Sequence, residues 1–380
     1  MQCDYFDAGR CRSCTLMGVP YATQLADKQR HVAEVLSAHV PPGAWDQPVR
    51  SPASHFRNKA KLVVGGRPGR PTFGILDAGG RGVDLRRCGL YEPGLTATFD
   101  PLHHVVADLG IAPYDVPGRR GELKHVIVTH SPDGEHLVRF VVRSEAAAQS
   151  LREALPAVRS AVPSARVVTV NVHPEHKAVL EGEVEHVLTD ERLLPMRLPG
   201  ARLLLGPRSF FQTNTAVAAA LYEQARAWVT ETAARTVWDL YCGVGGFALH
   251  LAAPERSVVG VETSAEAVGA ARAAAADVPG DVRFHAGDAT TDPPGGPDPD
   301  LVVVNPPRRG IGPDLAALLD RSPSRHVVYS SCDVTSLERD LAAMPSLRVV
   351  AARLADMFPQ TRHVETLVLL ERTQAPARLR

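Results

Sequence analysis

The chain has 380 residues, with 42 basic residues, 42 acidic residues and 44% hydrophobic residues, an ordinary globular composition with length for two or three domains. No apolar run reaches the roughly eighteen residues of a membrane helix, and Met1-Gln2-Cys3-Asp4-Tyr5 lacks the charged-then-apolar layout of an export signal. Six cysteines are too few for a disulfide-built secreted protein, so a reducing cytoplasm is expected, and zero net charge argues against a nucleic-acid binder held by a uniform positive field.

Residues 1–95 are punctuated by Gly and Pro and rich in Arg. Cys3-x7-Cys11-x2-Cys14 lies in a loop-like stretch, and Cys88 follows Arg86-Arg87. Four cysteines fit an iron–sulfur or zinc site with all-thiolate ligands, and spacing alone does not choose the metal. Charge is unevenly spread here. The window 50–90 holds nine Lys and Arg against two Asp. Within it, Phe56-Arg57-Asn58-Lys59-Ala60-Lys61 mixes an aromatic, an amide and cations. Phe56, Arg57, Lys59 and Lys61 are therefore expected on a surface that follows RNA phosphates, although the alternation also suits the wet face of a strand.

Residues 96–200 read as a central α+β domain. Lys124–Thr129, Leu137–Arg143 and Val167–Asn171 look like strands and Ala146–Ala154 like a helix. A turn is expected at Pro195–Gly200, and an amphipathic helix over 213–230.

From about residue 235 onward, apolar strands alternate with Ala-rich helices, which points to βαβ units and a mainly parallel sheet. The strands are expected at Thr236–Tyr241, Ser257–Glu262, Val282–Ala286, Leu301–Asn305, His326–Ser330 and Leu347–Leu354, with a last pair around Val364–Leu370. Helices are expected at Ala265–Ala276 and Asp314–Asp320. Open sheets of this kind bind ligands at the C-terminal ends of their strands.

Asp239-Leu-Tyr-Cys-Gly-Val-Gly-Gly-Phe-Ala248 occupies such an end. Gly243, Gly245 and Gly246 let the backbone turn sharply and approach a ligand. Nineteen residues after Gly243, Glu262 closes the next strand and could hold the ribose hydroxyls of an adenosine cofactor. The pattern fits S-adenosylmethionine, fits NAD through G-x-G-x-x-A, and fits a plain tight turn. Further on, Asp300-Leu-Val-Val-Val-Asn305-Pro306-Pro307 sets a stiff proline turn just past a buried strand. That stretch resembles the substrate-side loop of class I methyltransferases and has no place in the nicotinamide fingerprint.

Cys332 ends the following strand in Ser330-Ser331-Cys332-Asp333, with a helix expected at once and Asp333 or Thr335 as its cap. A thiol at a helix N-terminus is expected to have its thiolate favoured. A methyltransferase needs a thiolate when the acceptor is carbon 5 of a pyrimidine, a poor nucleophile. Sulfur addition at carbon 6 makes carbon 5 enolate-like, and a base must then take the carbon-5 proton. Glu365, opening an apolar strand, is the candidate base, with His363 as its rival.

Taken together, Ser209-Phe-Phe-Gln-Thr-Asn214, the Gly-rich loop, Asn305-Pro-Pro-Arg-Arg-Gly310, Ser331-Cys332 and Asp356-Met-Phe-Pro359 with His363-Val-Glu365 resemble the RNA (uracil-5-)-methyltransferase family over nearly the whole chain. The resemblance implies a C-terminal class I, Rossmann-like α/β domain that uses S-adenosylmethionine. It implies Cys332 as nucleophile and Glu365 as general base, with Gln212, Tyr241, Gly243, Glu262, Asp288 and Asn305 at the cofactor and target base. Many relatives have Asp where this chain has Asn305, and an amide suits hydrogen bonding rather than acid–base work. Relatives commonly have Asn-Pro where this chain has Asp333-Val334, a change that keeps a helix cap.

The branch with ribosomal targets carries the four-cysteine set, and the transfer-RNA branch lacks it. The resemblance thus implies a [4Fe-4S] cluster on Cys3, Cys11, Cys14 and Cys88. With the first of these at position 3, no extra β-barrel domain is expected ahead of the set. The expected organisation is an iron–sulfur module (1–95), a central α+β RNA-binding domain (96–200) and the methyltransferase domain (201–380). The expected substrate is a uracil of 23S ribosomal RNA, with another RNA, such as the transfer-RNA T-loop, as the alternative. No membrane or obligate protein partner is expected.

Overall fold

The computed structural model describes residues 1–177, 179–291, 294 and 298–373. The chain forms two compact units, one of Met1–Met17 with Ala53–Arg197, the other of Gly18–Pro52 with Leu198–Arg380.

Seven strands build the sheet of the first unit: β1 (Lys59–Arg67), β2 (Arg70–Leu76), β3 (Gly82–Asp84), β4 (Leu123–His130), β5 (His136–Val142), β6 (Ala165–Val172) and β7 (Val184–Val187), in the order β3-β2-β1-β4-β5-β6-β7. In β1 the alternate residues Ala60, Leu62 and Val64 turn into the core, where they meet Phe73, Phe99, Leu102, Phe140 and Leu151. The helices Phe99–Leu109, Glu145–Glu153 and Leu155–Ala161 supply the other side of that core. Ser144 caps the second of them by accepting from the Ala147 amide, and Gly110, at φ 63°, ends the first.

The expected boundary at residue 95 is corrected by this sheet. β1 and β4 pair antiparallel with Lys59 opposite Thr129, so the stretches before and after residue 95 share one hydrogen-bonded ladder. Residues 18–52 fall outside the first unit altogether. Their helix Tyr21–Val35, unforeseen from the sequence, sends Leu25 and Val32 into the core of the second unit beside Val304, Leu315 and Val368. Its apolar spacing was there to be read, but the partner surface lies hundreds of residues away.

A hairpin of β8 (Leu194–Leu198) and β9 (Ala201–Leu205) follows. The sheet of the second unit contains β10 (Thr236–Leu240), β11 (Ser257–Glu262), β12 (Asp281–Ala286), β13 (Leu301–Val304), β14 (His326–Ser331), β15 (Leu347–Ala355) and β16 (Glu365–Arg372), in the order β12-β11-β10-β13-β14-β16-β15. β10 to β14 are parallel, and β16 runs antiparallel between β14 and β15. Buried on both faces, the central strands are apolar runs; all four residues of β13 are buried. From β10 the chain moves outward to β11 and β12, then returns to the other side for β13 and β14. That reversal opens a crevice beyond the C-terminal ends of β10 and β13. Among the described residues no helix is long and apolar enough to cross a membrane.

Candidate active site

At this crevice lies a cavity of about 590 Å³, lined by residues that include Gln212, Tyr241, Gly243, Glu262, Asp288, Asn305, Cys332 and Glu365. The six positions expected at the cofactor and target base therefore meet Cys332 and Glu365 in one place.

The loop after β10 follows from its glycines. Gly243 and Gly245 have φ of 55° and 85°, a region that costs most other residues. A Cβ on Gly245 would also stand 2.7 Å from the Phe284 ring. Glu262, at the end of β11, turns its carboxylate toward this loop. One oxygen accepts from the Gly243 amide at 3.2 Å, the other from the Ser264 amide at 2.8 Å and the Thr263 hydroxyl at 3.0 Å. Fixed by three local donors, the carboxylate is preorganised to receive hydroxyls from the cavity.

Three polar side chains near the cavity were given no role in the sequence reading. Asp239 in β10 is fully buried; it accepts from the Ala248 amide at 2.9 Å, and its second oxygen has no partner among the described residues. Burial pushes its carboxyl up to about 7. The signal was present, an Asp inside an apolar strand. Tyr222, in the helix Thr215–Glu231, lines the cavity and stacks on His250 with ring centroids 4.6 Å apart. Ser330, on β14, donates to Glu365 at 2.8 Å.

Register brings Cys332 and Glu365 together. β14 and β16 are antiparallel, and their last pair is Ser331 with Thr366. The next position on each chain is Cys332 and Glu365, so the two stand opposite each other at the sheet edge. Glu365 is buried, which raises its carboxyl to about 7, the Ser330 hydrogen bond pulling the other way. Asp333 caps the helix Val334–Ala342 by accepting from the Ser336 amide.

The expectation of a favoured thiolate is corrected. The Cys332 thiol is raised above its ordinary value, first by burial and then by the Glu365 charge, with Arg308 opposing. A helix N-terminus is worth about 0.3–1 kcal/mol, less than one pKa unit, and burial beside a carboxylate outweighs it. His363, the rival base, is exposed and accepts from Arg308 at 3.3 Å. Its pKa is lowered by partial desolvation and then by the Arg308 charge. It is not among the residues lining the cavity.

In the first unit Cys14 is buried, and Cys3, Cys11 and Cys88 are half-buried, all unpaired. The Cys14 thiol is pushed up to about 12 by burial and then by Cys88, Cys11 and Cys3 in turn, with Arg57 opposing. Four sulfurs thus act on one another across a small space. As the side chains stand, no group of three or more His, Cys, Asp or Glu among the described residues has the arrangement of a metal site. Phe56 is corrected here: it is buried and packs with Cys14, Cys88, Met17 and Leu90, so it walls the cysteine pocket and is not a surface for bases. Arg57 and Lys59 are half-buried, and burial lowers the Lys59 ammonium to about 8. Of the four residues expected at RNA, Lys61 alone is exposed.

Comparison with known proteins gives a consistent result. A model of the methyltransferase small domain matches residues 220–319, and one of the tRNA (uracil-5-)-methyltransferase family matches residues 298–373. The chain is 44% identical to the 23S rRNA (uracil(747)-C(5))-methyltransferase RlmC of Salmonella newport, over 98% of this chain and the full length of that protein. Identity to the RlmC of Cronobacter sakazakii is also 44%, with the same coverage. The fold is similar to that of the Pyrococcus abyssi tRNA (uracil-54, C5)-methyltransferase, solved in complex with S-adenosyl-L-homocysteine. The TM-score is 0.79 at 24% identity, covering 94% of this chain and 85% of that one.

Proposed function

The chain belongs to the RNA uracil-C5 methyltransferases of the RlmC type, and from that premise we propose that it methylates carbon 5 of one uracil in 23S ribosomal RNA, the counterpart of position 747 in the relatives' name. The observation that carries the mechanism is the facing pair Cys332 and Glu365 in the cavity that also holds the Gly243 loop and Glu262.

S-adenosylmethionine, when bound, supplies an electrophilic methyl group. Glu262 would take its ribose hydroxyls, and the Gly243–Gly245 backbone leaves room for its close approach. Asn305 would hydrogen-bond the cofactor or the uracil. Cys332 adds through sulfur to carbon 6 of the uracil, its thiol proton leaving to solvent, and the carbon 5–carbon 6 electrons move toward the ring carbonyl. Arg308, lining the same cavity, opposes the burial that holds the thiol neutral. Once carbon 5 carries the methyl group, Glu365 removes its proton. The double bond re-forms, and sulfur leaves as thiolate. A carboxyl raised to about 7 is well matched to proton transfer near neutral pH. A uracil stacked in a helix cannot reach this cavity, so the base must be flipped or lie in a loop. Phe210, an exposed aromatic at the cavity wall, suits stacking on an unpaired base.

The four cysteines of the first unit fit a [4Fe-4S] cluster. The Cys14 and Cys88 thiols are raised by burial and then by their cysteine neighbours, and a cationic centre on thiolates would relieve that cost. Cys3, Cys11, Cys14 and Cys88 would hold it, and its role is structural, tying residues 1–17 to the loop at Cys88. The protein would work in the cytoplasm, on RNA free or in an assembling large subunit.

The test is to map 5-methyluridine in RNA from cells with and without the gene. Loss of one mark in 23S RNA is expected. Loss from transfer RNA instead would move the substrate to that RNA, and loss from neither would reject the activity.

A further inference from the structure

The helix Tyr21–Val35 lies far in sequence from the chemistry but packs in the same unit. We propose that Lys28 and Gln24 are positioning residues for the base: from this helix they hold the loop Asp356–His363 in the shape that puts Phe358 on the cavity wall and starts β16 with Glu365 facing Cys332. The proposal rests on the assignment of Glu365 as base.

Lys28 donates to the Asp356 carboxylate at 2.7 Å and to the Phe358 carbonyl at 3.1 Å. Its side chain is 4% exposed and that of Asp356 is 0% exposed. One helical turn earlier, Gln24 makes a reciprocal pair with Gln360. Its amide donates to the Gln360 side-chain oxygen at 3.0 Å, and its own oxygen accepts from the Gln360 backbone amide at 2.9 Å. Gln360 sits at φ 68°, where a residue with a side chain is strained and needs its surroundings to keep it there. The loop therefore does not hold this shape unaided. Four hydrogen bonds from two side chains at i and i+4 fix it at Asp356, Phe358 and Gln360. Five residues after Gln360 comes Glu365.

A second tie comes from the same segment. The Asn214 amide donates to the Ser51 hydroxyl at 2.8 Å and to the Met357 carbonyl at 3.4 Å. Asn214 lies two residues after Gln212, so residues 18–52 brace both loops of the cavity. The chemistry of the brace is informative. A buried ion pair adds little net stability over an apolar contact of similar size, but this one ties the loop at two points, Asp356 and the Phe358 carbonyl.

The experiment compares full-length, anaerobically purified wild type, Lys28→Met, Gln24→Ala and Glu365→Gln with a 23S RNA fragment and S-adenosylmethionine. Turnover, covalent RNA–protein adduct on denaturing gels and cofactor affinity by calorimetry are read for each. Lys28→Met is expected to bind cofactor as wild type does and to form adduct, but to release product about tenfold to a hundredfold more slowly, as a misplaced base should. Adduct therefore accumulates, as in Glu365→Gln. A merely structural role would lower adduct, turnover and cofactor binding together. Should Lys28→Met fail to fold, Gln24→Ala, which leaves no unpaired charge, is read the same way. Adduct in Glu365→Gln combined with normal product release in the folded brace variants overturns the proposal alone. No adduct in Glu365→Gln overturns the base assignment and the proposal with it.

Discussion

The Ser330 hydroxyl donates to the Glu365 carboxylate at 2.8 Å, and this bond opposes the burial that raises the acid to about 7. A fully buried carboxylate is thereby kept near the edge of ionisation at neutral pH, where it can both accept a proton and give it up.

Removing that bond moves the acid further from ionisation. A hydrogen bond to a charged group is worth about 1.5–3 kcal/mol, or one to two pKa units. Ser330→Ala is expected to shift the acid limb of the pH–rate profile upward by about one unit. Methylation by the variant falls most near pH 7 and recovers toward pH 9. An acid limb that stays in place would reject Glu365 as the titrating base.

Glu365→Gln is expected to abolish turnover while making the protein more stable in base. The group ionises near 4.5 when unfolded and near 7 when folded. The folded state thus binds the proton more tightly, and its stability is greatest below 4.5 and is lost as pH rises through 7. A shift of this size corresponds to roughly 3 kcal/mol. Thermal unfolding is expected to favour the variant at pH 8 and to show little difference at pH 4.

Cys332→Ala removes the sulfur and leaves the Gly243 loop and Glu262 untouched. It should give no 5-methyluridine and no covalent adduct, with unchanged affinity for S-adenosylmethionine by calorimetry. Methylation by this variant would reject the covalent route.

Protein purified without oxygen is expected to be brown and to hold about four irons per chain. Cys14→Ser should lose most of the iron and melt at lower temperature. A colourless protein containing zinc would replace the iron–sulfur assignment.

Phe56 and Lys61, five positions apart, are expected to serve two different roles. Lys61→Ala should weaken RNA binding and reduce its salt dependence by about one phosphate contact. Phe56→Ala should loosen iron instead, because its ring packs on Cys14. A filter-binding titration at several salt concentrations, beside iron analysis, distinguishes them.

Local chemistry made much of this protein legible in its sequence. A glycine-rich turn after an apolar strand, a carboxylate ending the next one, and a cysteine just before a capped helix are patterns that short-range sterics and hydrogen bonding enforce, and the central strands followed from runs of buried apolar residues. What tertiary structure alone decided is non-local. The pairing of β1 with β4 merged two expected modules, because ladder hydrogen bonds between distant segments leave no mark in composition. The antiparallel insertion of β16 beside β14 set Glu365 opposite Cys332, and the burial at that edge raised both groups, against a helix-terminus effect too small to prevail. Phe56, aromatic among cations, could be assigned to a pocket rather than a surface only when its neighbours were known. The helix carrying Lys28 acquired its place beside Asp356 through a core formed by residues more than three hundred positions apart.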